Sequence, residues 1–185
     1  ATLVVGHNAR TKEELEKMIH EGKWKEFIRE IPIKPGDFIQ IDPGTVHAIK
    51  GGTLLLETQQ SSDITYRVYD YDRLSNGKPR QLHIAQSIDV ITVPAKSADN
   101  SVVHTEKKDD AIQQLISCPY YTVYRIDVEH RVETWQDKPF ILMSVVEGEG
   151  TLNDTHLKKG DHLILPDGYG KVELQGRMQI IASTI

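Results

Sequence analysis

Lys34-Pro35-Gly36-Asp37-Phe38-Ile39-Gln40-Ile41-Asp42-Pro43-Gly44-Thr45-Val46-His47 opens on Gly-Asp, runs through four mostly apolar residues, and closes with a Pro-Gly turn and a returning strand. The same outline comes back without a gap at Lys158-Lys159-Gly160-Asp161-His162-Leu163-Ile164-Leu165-Pro166-Asp167-Gly168-Tyr169-Gly170-Lys171. The glycines permit tight turns that a side chain would resist. Two passes of one hairpin predict two similar β units within the chain.

Outward from the first copy, Thr2–Gly6 reads as a strand. Thr11-Lys12-Glu13-Glu14 is a capping box that opens a helix carrying Leu15, Met18 and Ile19 and ending near Gly22. A second short helix is predicted from Trp24 to Glu30. Short strands follow at 37–41, 46–49, 53–58 and 64–70, then a polar loop over 71–80 and a short helix at 84–90. Residues 94–100 read as a linker. Strands resume at 121–128, 131–135, 140–147, 150–152, 162–165, 171–174 and 178–183, the pattern of a β-sandwich or barrel.

Composition narrows the function classes. The 185 residues hold 38% hydrophobic and 26% charged residues, enough apolar content for a real core. With 22 basic against 27 acidic residues, the chain lacks the concentrated basic face that nucleic acid requires. No apolar run is long enough for a bilayer. The single cysteine, Cys118, calls for no oxidising compartment, which points to a soluble cytoplasmic protein with neither nucleic acid nor membrane as partner. Ala1 is not an initiator Met and begins a strand already under way, so the chain is expected to be a piece of a longer one; a trimmed ordinary N-terminus is the alternative.

Three residues stand out for chemistry. His47, delivered by Pro-Gly-Thr-Val-His, is the candidate metal ligand. After it come Glu57, Gln59, Gln60, Asp63 and His83, none forming a dense ligand pair. Either there is no metal, or its other ligands lie upstream of Ala1. Glu57 ends an apolar strand and faces interior or solvent according to register. Arg67 alternates with Thr65 and Tyr69 on one face, opposite Tyr66, Val68 and Asp70. It suits a phosphate or an enediolate-like charge; pairing with Asp63, Asp70 or Asp72 is the plainer role. The remaining histidines read as structural.

The repeated hairpin resembles the second signature of the cupin family: glycine, five residues, then P-x-G-x-x-H. Asp42 stands at the proline position of the first copy and Lys171 at the histidine position of the second. A wider match is carried by Pro35-Gly36-Asp37, by Pro43-Gly44-Thr45-Val46-His47-Ala48-Ile49, and by Leu56-Glu57-Thr58-Gln59-Gln60-Ser61-Ser62-Asp63. It continues through Thr65-Tyr66-Arg67-Val68-Tyr69-Asp70-Tyr71-Asp72-Arg73 and Gly77-Lys78-Pro79-Arg80-Gln81-Leu82-His83. In order and spacing these resemble type I mannose-6-phosphate isomerase in its short bacterial form.

The resemblance implies a mainly β protein of two cupin-like jelly-roll barrels. The first, residues 1–94 with a helical insertion at 11–30, would be the C-terminal part of a catalytic barrel, incomplete at its N-terminus. The second, residues 95–185, would lack a metal ligand. The implied activity is aldose–ketose isomerisation between mannose 6-phosphate and fructose 6-phosphate through a zinc-assisted cis-enediol. His47 matches the later zinc ligand, Glu57 an active-site acid, and Arg67 the catalytic arginine. A Gln-x-His pair and an earlier Glu are expected upstream, so the sugar-phosphate substrate and that missing segment are the implied partners, and this piece alone is expected to be inactive. A non-catalytic cupin module binding sugar phosphates is the alternative, and a structural half that assembles with an N-terminal partner is a weaker one.

Overall fold

The computed structural model describes residues 1–62, 64–97 and 111–185, together with Val102–Val103. Asp63, His104 and residues 98–100 of the expected linker lie outside the described residues. Strands dominate, as expected, and the chain divides into two units. One comprises Ala1–Leu55 and Ser61–His104, the other Leu56–Gln60 and Thr105–Ile185.

In the first unit, β1 (Thr2–His7) lies between β2 (Ile28–Pro32) and β4 (His47–Ala48), giving the sheet order β2-β1-β4. Val4 and Val5 face Ala48 and His47, so β1 fixes where His47 emerges. The helix α1 (Lys12–His20) starts where the capping box predicts. Glu14 N donates to Thr11 Oγ1 at 3.2 Å, while the Glu14 carboxylate reaches one residue further back than expected, accepting from Arg10 N at 2.7 Å. Leu15 and Ile19 bury against Phe27, Ile88 and Ile91, the latter two from α3 (Ile84–Val90) and the residue after it.

The predicted second helix is corrected. Only α2 (Trp24–Phe27) is helical, because Ile28–Pro32 pairs antiparallel with β1, from Thr2↔Pro32 to His7↔Ile28. Tertiary pairing outweighs local helical spacing there. The expected strand at 37–41 shrinks to β3 (Phe38–Ile39), paired with β7 (Val102–Val103). Strands expected at 53–58 and 64–70 do not form. Among the described residues no strand pairs with them, and an extended run without a ladder leaves its backbone polar groups to solvent, side chains or isolated hydrogen bonds. The loop over 71–80 instead contains a hairpin, β5 (Leu74–Ser75) and β6 (Lys78–Pro79), turned by Asn76 and Gly77 at φ 54° and 76°. Asn-Gly at two positive φ values is the chemistry such a turn needs. The first unit also runs past the boundary expected after residue 94: Arg29 donates to the Lys96 carbonyl at 2.6 Å, and β7 pairs with β3.

The second unit is one seven-stranded sheet. Its main order is β12-β11-β14-β9-β8, with β10 also on β14 and β13 on β11. The strands are β8 (Ile112–Ser117), β9 (Thr122–Val128), β10 (Arg131–Gln136), β11 (Phe140–Leu152), β12 (Thr155–Lys158), β13 (His162–Pro166) and β14 (Gly170–Thr184). The pairs of strands expected at 140–152 and 171–183 are thus each one long bent strand. β14 pairs with β10 through Gly170–Gln175 and with β9 through Met178–Thr184. The change of partner is at Gly176, φ 116°, opposite Gly150 of β11, and β11 and β14 approach so closely here that a side chain on Gly148, Gly150 or Gly176 would strike backbone atoms of the other strand. Ile126, Met143, Val145, Leu174, Ile180 and their neighbours fill the core. β8 and β12 are not among the strands that the sequence predicts. The first is a half-polar edge strand with a bulge, and the second returns through a two-residue Asn153-Asp154 turn with Asn153 at φ 47°.

The internal repeat is reproduced atom for atom at its turn. Lys34 N and Lys158 N donate to the Asp37 and Asp161 carboxylates at 2.9 and 2.8 Å. Asp37 N and Asp161 N donate back to Lys34 O and Lys158 O at 3.2 and 3.0 Å. Gly36 and Gly160 sit at φ 89° and 92°, and Gly44 and Gly168 at 79° and 72°.

Candidate active site

β1 and the Pro43-Gly44 turn deliver His47 to an exposed position. Its Nδ1 is 2.9 Å from the Thr45 carbonyl. A carbonyl only accepts, so Nδ1 carries the proton and Nε2 is left with a lone pair. Metal-binding histidines are oriented in this way. Among the described residues no three His, Cys, Asp or Glu side chains gather into a metal-binding group. His47 thus fits one coordination position, and a full set needs ligands from beyond the described residues.

His47 lines a hollow with Val4, Trp24, Val68, Tyr69 and Tyr71. Trp24 and Tyr69 stack with centroids 4.5 Å apart and planes 11° from parallel; Tyr71 follows 4.5 Å from Tyr69. Burial raises the Tyr71 phenol, reinforced by the neighbouring Tyr69. At Asp42, the cupin proline position, the carboxylate is held down by its hydrogen bond from Lys96. At the second copy's histidine position, Lys171 pairs with Glu133 at 3.2 Å.

Arg67 immediately precedes Val68 and Tyr69, which line that hollow, and is not itself one of the lining residues. The expected alternation fails. Val68 packs on the Phe27 cluster and Tyr69 on Trp24, while Asp70 is 5% exposed. Arg67 Nη1 donates to Gln81 O at 3.2 Å, and its Nε is 3.8 Å from Asp70 Oδ1, a loose contact. Asp70 is bound more tightly by Arg80, Nε to Oδ2 at 2.7 Å, and by Arg73 at 2.8 Å. Those guanidiniums, Arg80 first, pull its carboxyl down to about 2. Glu57 is exposed on an irregular stretch counted with the second unit, whereas His47 and Arg67 share the first.

Two features of the site escape sequence reasoning. The Asp70–Arg73–Arg80 cluster is one. The other is His83, which reads as structural but whose Nδ1 accepts the Arg67 backbone N–H at 3.1 Å. Its only signal is its place directly before α3, where a capping Ser, Thr or Asp would be ordinary. His7 is structural as expected: it is buried, stacked on Phe27, and donates from Nε2 to the Thr92 carbonyl at 2.9 Å.

Residues 111–185 match the family model described as mannose-6-phosphate isomerase, cupin domain. Mannose-6-phosphate isomerase ManA of Bacillus subtilis is 46% identical over 188 residues, covering 99% of this chain. A mannose-6-phosphate isomerase of Streptococcus mutans is 44% identical over 99% of the chain. Over nearly its whole length the chain is similar to mannose-6-phosphate isomerases. It spans 60% of the length of the Bacillus relative and 59% of the Streptococcus one. A crystal structure of the mannose 6-phosphate isomerase from Bacillus subtilis superposes with a TM-score of 0.88 at 43% identity, over all of this chain and 60% of that one. A phosphomannose isomerase from Salmonella typhimurium has a TM-score of 0.72 at 12% identity over 99% of this chain and 65% of that one, and shares the fold. Among the described residues no helix is long and apolar enough to cross a membrane.

Proposed function

We propose that this chain forms the C-terminal part of a cytoplasmic isomerase that interconverts mannose 6-phosphate and fructose 6-phosphate. In this reading the first unit is the trailing part of a catalytic cupin barrel and the second a cupin barrel without a metal. The observation that carries it is His47, set by the cupin turn with Nδ1 committed to Thr45 and Nε2 free. His47 would hold zinc through Nε2, with the remaining ligands supplied from beyond the described residues. Zinc, when bound, polarises a sugar oxygen. Arg67 would meet the negative charge that develops on oxygen as a proton passes between C1 and C2 through the cis-enediol. Its long Asp70 contact leaves guanidinium donors for that purpose. Glu57 keeps only the acidic role that the family resemblance implies, and the aromatic hollow of Trp24, Tyr69 and Tyr71 would shield the sugar from water.

The test uses the chain extended upstream to the length of its relatives. His47→Ala should abolish stoichiometric zinc, measured by elemental analysis. Arg67→Ala should keep zinc yet lose at least about a hundredfold in kcat. The 185-residue chain alone should neither retain zinc nor turn over. Full activity in a zinc-bound Arg67→Ala enzyme removes Arg67 from the reaction, and a zinc-free extended chain that binds sugar phosphate without turnover favours a binding module.

A further inference from the structure

We propose that His83 is the positioning residue for Arg67, its neutral imidazole fixing the backbone from which the guanidinium is presented. The inference rests on Arg67 acting in the isomerisation proposed above.

Arg67 sits in a stretch with no strand ladder. In a ladder its N–H and C=O would meet the C=O and N–H of a neighbouring strand. His83 takes that neighbour's place: His83 N donates to Arg67 O at 2.7 Å, and Arg67 N donates to His83 Nδ1 at 3.1 Å. The acceptor is the side chain, Nδ1, while the His83 carbonyl is turned into α3. It receives Ser87 N at 2.8 Å, in the first turn of α3. Two residues back, the Gln81 carbonyl accepts from Arg67 Nη1 at 3.2 Å. Residues 81–83 therefore grip Arg67 at its backbone and at its head, and α3, packed through Ile88 into the first unit's core, anchors that grip.

The chemistry constrains the proton. To accept at Nδ1, the ring must carry its hydrogen on Nε2, since an imidazolium would set N–H against N–H. Tyr66 flanks the ring at 6.1 Å between centroids. Asparagine places an oxygen where histidine has Nδ1, so His83→Asn preserves the acceptor and His83→Leu deletes it.

In the extended, zinc-loaded enzyme, His83→Leu should lower kcat about tenfold or more, with KM changed less than about threefold, because a displaced Arg67 costs chemistry rather than binding. His83→Asn should recover kcat to within about threefold of the parent, a rescue that a general packing role would not produce. A folded His83→Leu enzyme with parental kcat overturns the proposal. So does a folded His83→Asn enzyme as impaired as the leucine variant, and if His83→Leu fails to fold, the asparagine variant decides by the same threshold. Independently of turnover, long-range nitrogen NMR of the parent should find His83 Nδ1 unprotonated, and a protonated Nδ1 at neutral pH refutes the clamp. A parent enzyme with no isomerase activity defeats the functional reading, while the NMR result still judges the His83–Arg67 contact.

Discussion

Asp70 holds one negative charge among three guanidiniums, those of Arg67, Arg73 and Arg80, on a residue 5% exposed. Its folded carboxyl ionises near 2, against about 3.9 in an unfolded chain. A lowered folded value means that its stabilisation is complete above about pH 4 and drains away as the pH falls towards 2. Asp70→Asn should therefore melt below the parent at pH 7, with the gap narrowing between about pH 4 and 2. Thermal unfolding followed by circular dichroism checks this, and a gap unchanged across that window would show that the carboxylate's charge is not what holds the arginines. At this scale legibility was uneven. His47 was readable because a turn of fixed spacing announces it. Asp70 appeared only as one of several partners for Arg67, and its main ligand, Arg80, lies ten residues on across a hairpin. Nothing in a linear reading ranks Arg80 over Arg67 as that partner.

Glycine separates two kinds of cost at the level of elements. Gly160 opens the repeated turn at φ 92° with no atom within 4 Å of where a Cβ would lie. Gly150 has a permissive backbone, yet a Cβ there would strike the Gln175 carbonyl on β14. Gly160→Ala should cost about 1–2 kcal/mol, from backbone strain alone. Gly150→Ala must push β11 and β14 apart, and should cost more, about 3 kcal/mol or above. Urea unfolding of both variants measures the difference, and equal costs would mean that the strands yield freely at their crossing. The turn was legible because its Gly, Asp and Pro are local. The bends were not: β11 and β14 each read as two strands, since a glycine inside a run looks like a stop until the partner strand is known to press against it. The converse error occurred at 53–58 and 64–70. Their composition suits strands, but pairing is supplied by neighbours rather than by the run itself.

Across the molecule the two units differ in how they bury what they carry. In the second, thirteen buried side chains form one cluster inside strands of up to 15 residues. In the first, among the described residues, the largest sheet has three strands and four further strands are each two residues long, while Leu54 is 91% exposed. Opening free energy follows buried contacts and ladder length, so protection should be graded between the units. In hydrogen exchange read by mass spectrometry on the 185-residue chain, peptides from β9, β11 and β14 should be the last to exchange. Peptides spanning 53–62 and 64–82 should exchange orders of magnitude faster, while β1, α1 and α3 fall between, because Val4, Val5, Leu15 and Phe27 are fully buried. Lengthening the chain to the span of its relatives should slow exchange at 53–62 and 64–73 and leave β9, β11 and β14 unchanged, if the added residues supply the ladder that these stretches lack. Protection at 53–62 and 64–73 already equal to that of β14 in the shorter chain would mean that the first unit needs no further strands, and would weaken the reading of it as the trailing part of a larger barrel.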